Sequence, residues 1–326
     1  MEAAVDRLCP ELRKIARYHL GWADPDGRTV AASRGKGIRP ALALLGAQAV
    51  GARADVALPG AVGVELVHNY SLIIDDVIDA DTERHHRPTV WTLFGVSQAI
   101  IAGEALQVLA HQVLLEAPGD LGAAASAALA TATATMIAGQ SDDIAFERRR
   151  DVTIEQCVAM SSAKTGALLG CATSIGAILA GAPDDVVTAL RAYGVHLGLA
   201  FQAVDDLLGI WGEPSRTGKP QGSDLRYRKK SMPIVYALST DGPEIEELRS
   251  LVFGPAVTAD SPPPLSTYEV ARAVRLIEAS GAQEWVATEA KSNLDAALGA
   301  IEGVPLAADA HRELAELAVF VVEREA

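Results

Sequence analysis

Five aspartates stand in two clusters. Asp75, Asp76 and Asp79 lie in HNYSLIIDDVIDADTERHHRPTVW (68–91), and Asp205 and Asp206 lie in FQAVDDLLG (201–209). A helix puts positions i and i+4 on one face, about 6 Å apart along the axis, so Asp75 and Asp79 point the same way. Carboxylates this close repel one another unless a cation joins them. Oxygen-only, sulfur-free ligands suit a hard cation such as Mg2+. Taken alone, the first cluster also reads as a solvated helix end. Behind each cluster comes a basic stretch: Arg84-His85-His86-Arg87-Pro88-Thr89 after the first, then Arg216-Thr217-Gly218-Lys219-Pro220 and Arg228-Lys229-Lys230-Ser231 after the second. Acids that hold a cation, followed by bases that hold outer oxygens, suit a metal-bridged anion.

Helices must position these groups. The apolar run Val64, Leu66, Val67, Leu72, Ile73, Ile74 predicts a buried helix that opens at Pro59-Gly60 and carries the first cluster. Pro183-Asp184-Asp185 starts another that runs to Leu208 with the second. Thr153 to Ala182 contains Lys164-Thr165; a lysine in so apolar a helix needs an anionic partner, so it either lines a cavity or snorkels outward. Gly35-Lys36-Gly37-Ile38-Arg39-Pro40 precedes the apolar helix 41–50, which makes it either an anion site at a helix N-terminus or an ordinary exposed loop. Asp142 and Asp143 read as a polar helix surface rather than a further metal site. Residues 21–37 and 254–268 are loops rich in turn residues and proline. No stretch shows strand alternation, and no GxGxxG, P-loop, zinc spacing or Ser/His/Asp elbow occurs. The reading is all-α, a single-domain helical bundle over 1–326.

The composition agrees. Of 326 residues, 49% are hydrophobic and only 5% aromatic, which favours packed helices. A net charge of −14 argues against general nucleic-acid binding but not against a small basic pocket. Cys9, Cys157 and Cys171 lack metal-ligand spacing and fit a reducing, cytoplasmic setting. The charged start MEAAVDRLCPELRK has no apolar signal region. The uncharged stretches 121–141 and 165–182 read as tightly packed core helices, the first weakly apolar and the second interrupted by glycines, so no transmembrane span is expected.

Two acidic clusters, basic loops and an apolar interior suit a substrate with a diphosphate head and a hydrocarbon tail. Metal and side-chain cations would stabilise departing diphosphate, and a dry pocket would shield the carbocation left behind.

On these residues the chain resembles the trans-isoprenyl diphosphate synthases, the polyprenyl synthetase family. The resemblance runs from about Gly35 to the C-terminus and rests on GKGIRP, HNYS with DDxxD, RPTVW, GQ-DD-FE, KTG, FQxxDD and GKPQGSDL. DDLLGIWG and RKKS look especially like actinobacterial geranylgeranyl diphosphate synthases. The resemblance implies an all-helical isoprenoid synthase fold with a central apolar cavity, a homodimer, and condensation of isopentenyl diphosphate with an allylic diphosphate using about three Mg2+ ions. It implies Asp75, Asp79 and Asp205 as direct metal ligands, with Asp76 and Asp206 in support. Lys36, Arg39 and His68 would hold isopentenyl diphosphate; Arg84, Lys164 and Lys219 would hold the allylic diphosphate, with Lys230 nearby. Thr165 and Gln202 would line the cation, with departing diphosphate as the base. Tyr70, five positions before Asp75, would floor the tail pocket, and with the small Ser71 it suggests a C20 product, C15 or longer chains being the alternatives. Three positions depart from the family pattern: Ile74 where His is common, His85 where a second Arg would contact isopentenyl diphosphate, and Gly209 where many relatives have Asp. His85 is a weaker diphosphate ligand than a forked guanidinium. Ile74 and His85 motivate a second reading, a lyase that ionises one prenyl diphosphate on the same fold; a non-catalytic partner subunit is a third.

Overall fold

Helices make up nearly all the regular structure in the computed structural model, whose described residues are 1–30, 37–212, 221–254 and 263–323. In chain order these are α1 (Glu2–Val5), α2 (Pro10–His19), α3 (Ile38–Ala49), α4 (Leu58–Ile78), α5 (Val90–Phe94), α6 (Val96–Leu115), α7 (Leu121–Arg148), α8 (Ile154–Ser161), α9 (Ala167–Leu179), α10 (Asp184–Trp211), α11 (Ser223–Arg226), α12 (Met232–Ser239), α13 (Pro243–Phe253), α14 (Thr267–Ala279), α15 (Ala282–Ile301) and α16 (Ala308–Glu323). The all-α expectation holds. One element escaped it: β1 (Glu83–Arg84) and β2 (Arg87–Pro88) pair antiparallel, with Arg84 opposite Arg87. Strands of two residues leave no alternation to read. What closes the hairpin is backbone, since His85 and His86 both take positive φ, 51° and 59°.

The chain groups into two compact units. The first comprises Met1–Thr133, Leu168–Arg191 and Gly303–Leu314. Its core buries Leu42, Leu66, Ile73, Leu106, Leu109, Leu114, Leu129 and Ile175. Each such side chain contributes roughly 1.5–3 kcal/mol relative to exposure. Within it α3 and α9 cross backbone to backbone. A Cβ on Gly46 would lie 2.2 Å from the Thr173 carbonyl oxygen, and one on Gly176 would lie 2.0 Å from that of Ala43. The glycine-interrupted stretch is therefore a core helix with small residues at its contact. The second unit comprises Ala134–Ala167, Ala192–Glu302 and the chain from Ala315. It holds one apolar cluster around Ile210, Ile234, Leu248 and Ile277, and another around Cys157, Ala203, Met232 and Val286.

Four helical stretches are long and apolar enough to cross a membrane by length and composition: Ala54–Ile78, Val96–Leu115, Leu121–Arg148 and Ile154–Leu179. Half of the first one's apolar window and 67% of the last one's is buried inside the protein, so these two are used up as core. The other two give only part of their surface to the core, with 39% and 33% of their windows buried. On α6, Val96, Ile100, Ile101, Val108 and Leu115 are exposed, and on α7 so are Leu121, Ile137 and Ile144.

Candidate active site

The first acidic cluster occupies the last turn of α4. Asp79 caps the helix with φ −78° and ψ −6°, its N–H donating to the Asp75 carbonyl at 2.8 Å. Carboxylates there face the negative end of the helix dipole as well as one another. Asp76 is 1% exposed. Arg84 meets it with Nε at 2.8 Å and Nη2 at 2.7 Å, both on Oδ1. Oδ2 is buried with no hydrogen-bond partner. Burial pushes the Asp76 carboxyl up, and Arg84 opposes that shift. A buried, unsatisfied oxygen costs roughly 1–3 kcal/mol, and a hard cation or its water shell would satisfy it. The donor set therefore fits Mg2+. Among the described residues no three His, Cys, Asp or Glu side chains already converge on a metal-sized point, as mutual repulsion between carboxylates would lead one to expect.

Beside this cluster is a basic wall. Tight turns need left-handed residues, and His enters that region more readily than most; here His85 and His86 do so. Arg87 ties the hairpin down. Its Nη2 donates to the Ala23 carbonyl at 3.0 Å, and its guanidinium sits 4.3 Å over the Tyr18 ring. The Tyr18 hydroxyl donates to the Pro88 carbonyl at 2.7 Å. Arg39 Nη1 donates to His68 Nε2 at 3.3 Å, so that nitrogen carries no proton. Burial, then the charge of Arg39, hold the His68 imidazole well below its ordinary range. Tyr70 packs against α6: a Cβ on Gly103 would come 3.4 Å from its ring and 3.2 Å from Ile74 Cδ1. Burial first, then Asp75 and Glu104, raise the Tyr70 hydroxyl's pKa.

The second cluster sits late on α10. Asp206 is 5% exposed and uses both oxygens, Oδ1 accepting from Gln202 Nε2 at 2.8 Å and Oδ2 from the Met232 N–H at 2.8 Å. Thr165 Oγ1 donates to Gln202 Oε1 at 2.7 Å. Thr165, Gln202 and Asp206 are thus one hydrogen-bonded chain. Burial, reinforced by Asp224, pushes the Asp206 carboxyl up to about 7. Lys164 has the anionic partner its burial requires: Nζ lies 2.5 Å from Asp143 Oδ2. Asp143 is therefore half of an ion pair rather than plain polar surface. Both Lys164 and Thr165 lie on a π-helical turn, Ser162–Gly166, a feature that often marks functional positions. Lys230 is 3% exposed, donates to the Arg228 carbonyl at 3.2 Å and lies 4.8 Å over the Phe253 ring. Burial lowers it to about 8. Gly209 is explained by its neighbour, since a Cβ there would stand 2.4 Å from Asp224 Oδ2. Lys36 and Lys219 lie outside the described residues.

Sequence reasoning missed His19, whose polar neighbours are Asn69, Arg84, His85 and Arg87. It also missed the roles of Asp143 and Asp224. GKPQGSDL contains Asp224, but only its packing on Gly209 singles it out.

The polyprenyl synthetase family model matches residues 26–257. The (2E,6E)-farnesyl diphosphate synthase of Mycobacterium tuberculosis is 44% identical, over 98% of this chain and 88% of its own. The geranylgeranyl diphosphate synthase of the same organism is 38% identical, over 92% and 84%. The crystal structure of a polyprenyl synthetase from Streptomyces coelicolor superposes with a TM-score of 0.93 at 47% identity, covering 98% of this chain and 95% of that one. A geranylgeranyl pyrophosphate synthase from Corynebacterium glutamicum, complexed with isoprenyl diphosphate and magnesium, gives 0.82 at 27% identity, covering 99% and 98%.

Proposed function

The chain belongs to the polyprenyl synthetase family and is a prenyltransferase; within that class we propose that it condenses isopentenyl diphosphate with an allylic diphosphate to give a C15 or C20 diphosphate. The observation that carries this is the end of α4, where a buried carboxylate oxygen without a donor lies beside the basic wall. Asp75, Asp76, Asp79, Asp205 and Asp206 are the proposed Mg2+ ligands and their supports, and the metal would neutralise diphosphate and act as a Lewis acid on its departure.

The remaining roles fall to the chain's own groups. A guanidinium has five N–H donors. Arg84 spends two on Asp76 Oδ1, so the rest are available to the allylic diphosphate. Lys164 likewise keeps donors beyond its bond to Asp143, and Lys219 and Lys230 complete that proposed set. Lys36, Arg39, His68 and His85 hold isopentenyl diphosphate. The Thr165 hydroxyl is committed as a donor to Gln202, which leaves its lone pairs to face a carbocation. The carbocation formed by condensation loses a neighbouring proton to the departed diphosphate, which closes the new double bond.

Tyr70 and Ser71 support the C20 product; the mycobacterial relative at 44% identity is named for a C15 product. We further propose a single functional domain working in the cytoplasm as a homodimer, supported by the outward apolar face of α6. Mass analysis of products from the purified protein with isopentenyl diphosphate and C5, C10 and C15 primers tests the function. A lengthened diphosphate that disappears in EDTA is expected. No elongation from any primer, or hydrocarbon from C20 diphosphate alone, would overturn it.

A further inference from the structure

His19 ends α2. The residue is partly exposed, but its Nε2 is buried and has no hydrogen-bond partner. Its neighbours are Asn69 from α4 and Arg84, His85 and Arg87 from the hairpin. His68 shares the cluster, with Arg39, His19, Arg84 and His85 acting on it. Three imidazoles and three guanidiniums thus gather from α2, α3, α4 and the hairpin. The carboxylates at the edge are Asp76, which Arg84 grips, and Glu65, which Arg39 influences. The register is fixed, because Arg87 stacks on Tyr18, the residue before His19, and bonds to Ala23 just after it. Burial, then the charge of Arg84, pushes the His19 imidazole down to about 3. It is therefore neutral near pH 7 with a single N–H to donate, for which Asn69 and an incoming anion compete. Nε2 is buried, and the charged groups acting on its ring carry more positive charge than the two carboxylates offset, a surplus that an anion would balance.

We propose that His19 is a further substrate-binding residue, its Nε2–H donating to a terminal oxygen of isopentenyl diphosphate beside Arg39, His68 and His85. This rests on the prenyltransferase reading above. No bond is made or broken at His19; its work is to hold one diphosphate and not the other.

The test is His19→Phe, which keeps a flat ring and removes the donor, alongside His19→Gln, which restores an amide donor. In steady-state assays His19→Phe should raise KM for isopentenyl diphosphate about tenfold, the size of one hydrogen bond to a charged group. KM for the allylic substrate should stay within about twofold, and His19→Gln should recover most of the loss. Both KM values moving together, or neither moving, overturns the proposal. A readout independent of the variants' folding is the 15N resonance of His19 Nε2 in the native protein, titrated with isopentenyl diphosphate alone in Mg2+ buffer. A shift that saturates with binding supports the role; an unmoved resonance overturns it. Failure of the underlying reading would look different, since the unaltered protein would then lengthen no primer.

Discussion

His85 sets two effects against each other. An arginine there would bring the forked guanidinium that favours diphosphate, but φ is 51°, where a bulky side chain costs about 1 kcal/mol. His85→Arg should therefore lower KM for isopentenyl diphosphate several-fold while lowering Tm by a few degrees, and paired kinetics and melting measurements check both. Unchanged KM would mean His85 is no handicap. Asp206 makes a second prediction. Its carboxyl is raised from 3.8 to about 7 in the folded protein, so between those values the folded state binds the extra proton. Stability in EDTA should then fall as pH climbs from about 4 to about 7, by roughly 4 kcal/mol, and level off above. Asp206→Asn should flatten that slope and melt higher than the unaltered protein at pH 8, yet lose at least about a hundredfold in kcat. The two aspartate clusters were legible in the sequence as late positions on apolar helices, because i to i+4 spacing and apolar runs are local features. His19 and Asp143 were not: one meets the hairpin and the other Lys164 through packing across many positions, and spacing is silent about that.

At the scale of elements, the helices were legible down to the ends of α4, because apolar periodicity and Pro-Gly punctuation carry the information. The hairpin and the π-turn were not. Both are backbone choices that no side-chain period announces: two left-handed histidines in one, a single widened turn at Ser162–Gly166 in the other. The α10–α11 contact is equally hidden, and it can be tested. Gly209→Ala would push a methyl to within 2.4 Å of Asp224 Oδ2, which should destabilise by about 1–3 kcal/mol. In an Asp224→Ala background most of that penalty should vanish. A double-mutant cycle by chemical denaturation reads the coupling, and strictly additive effects would show that the two residues do not press on one another.

For the whole molecule, a charge of −14 coexists with a wall of arginines and histidines, the proposed seat of isopentenyl diphosphate. Salt should therefore weaken isopentenyl diphosphate binding at that wall while leaving helix content unchanged. The composition foretold an all-helical protein with a large core, but not which apolar surface would stay outside it. That surface is the row Val96, Ile100, Ile101, Val108 and Leu115 on α6. Charge introduced in its middle, Ile101→Glu with Val108→Glu, should convert a dimer to a soluble monomer by light scattering; an unchanged mass would move the interface elsewhere. Covering such a row with a second copy obeys mass action. Tm should then rise with protein concentration, and specific activity should decline on serial dilution, so that the quantity of enzyme in an assay acts as a hidden variable in its measured rate.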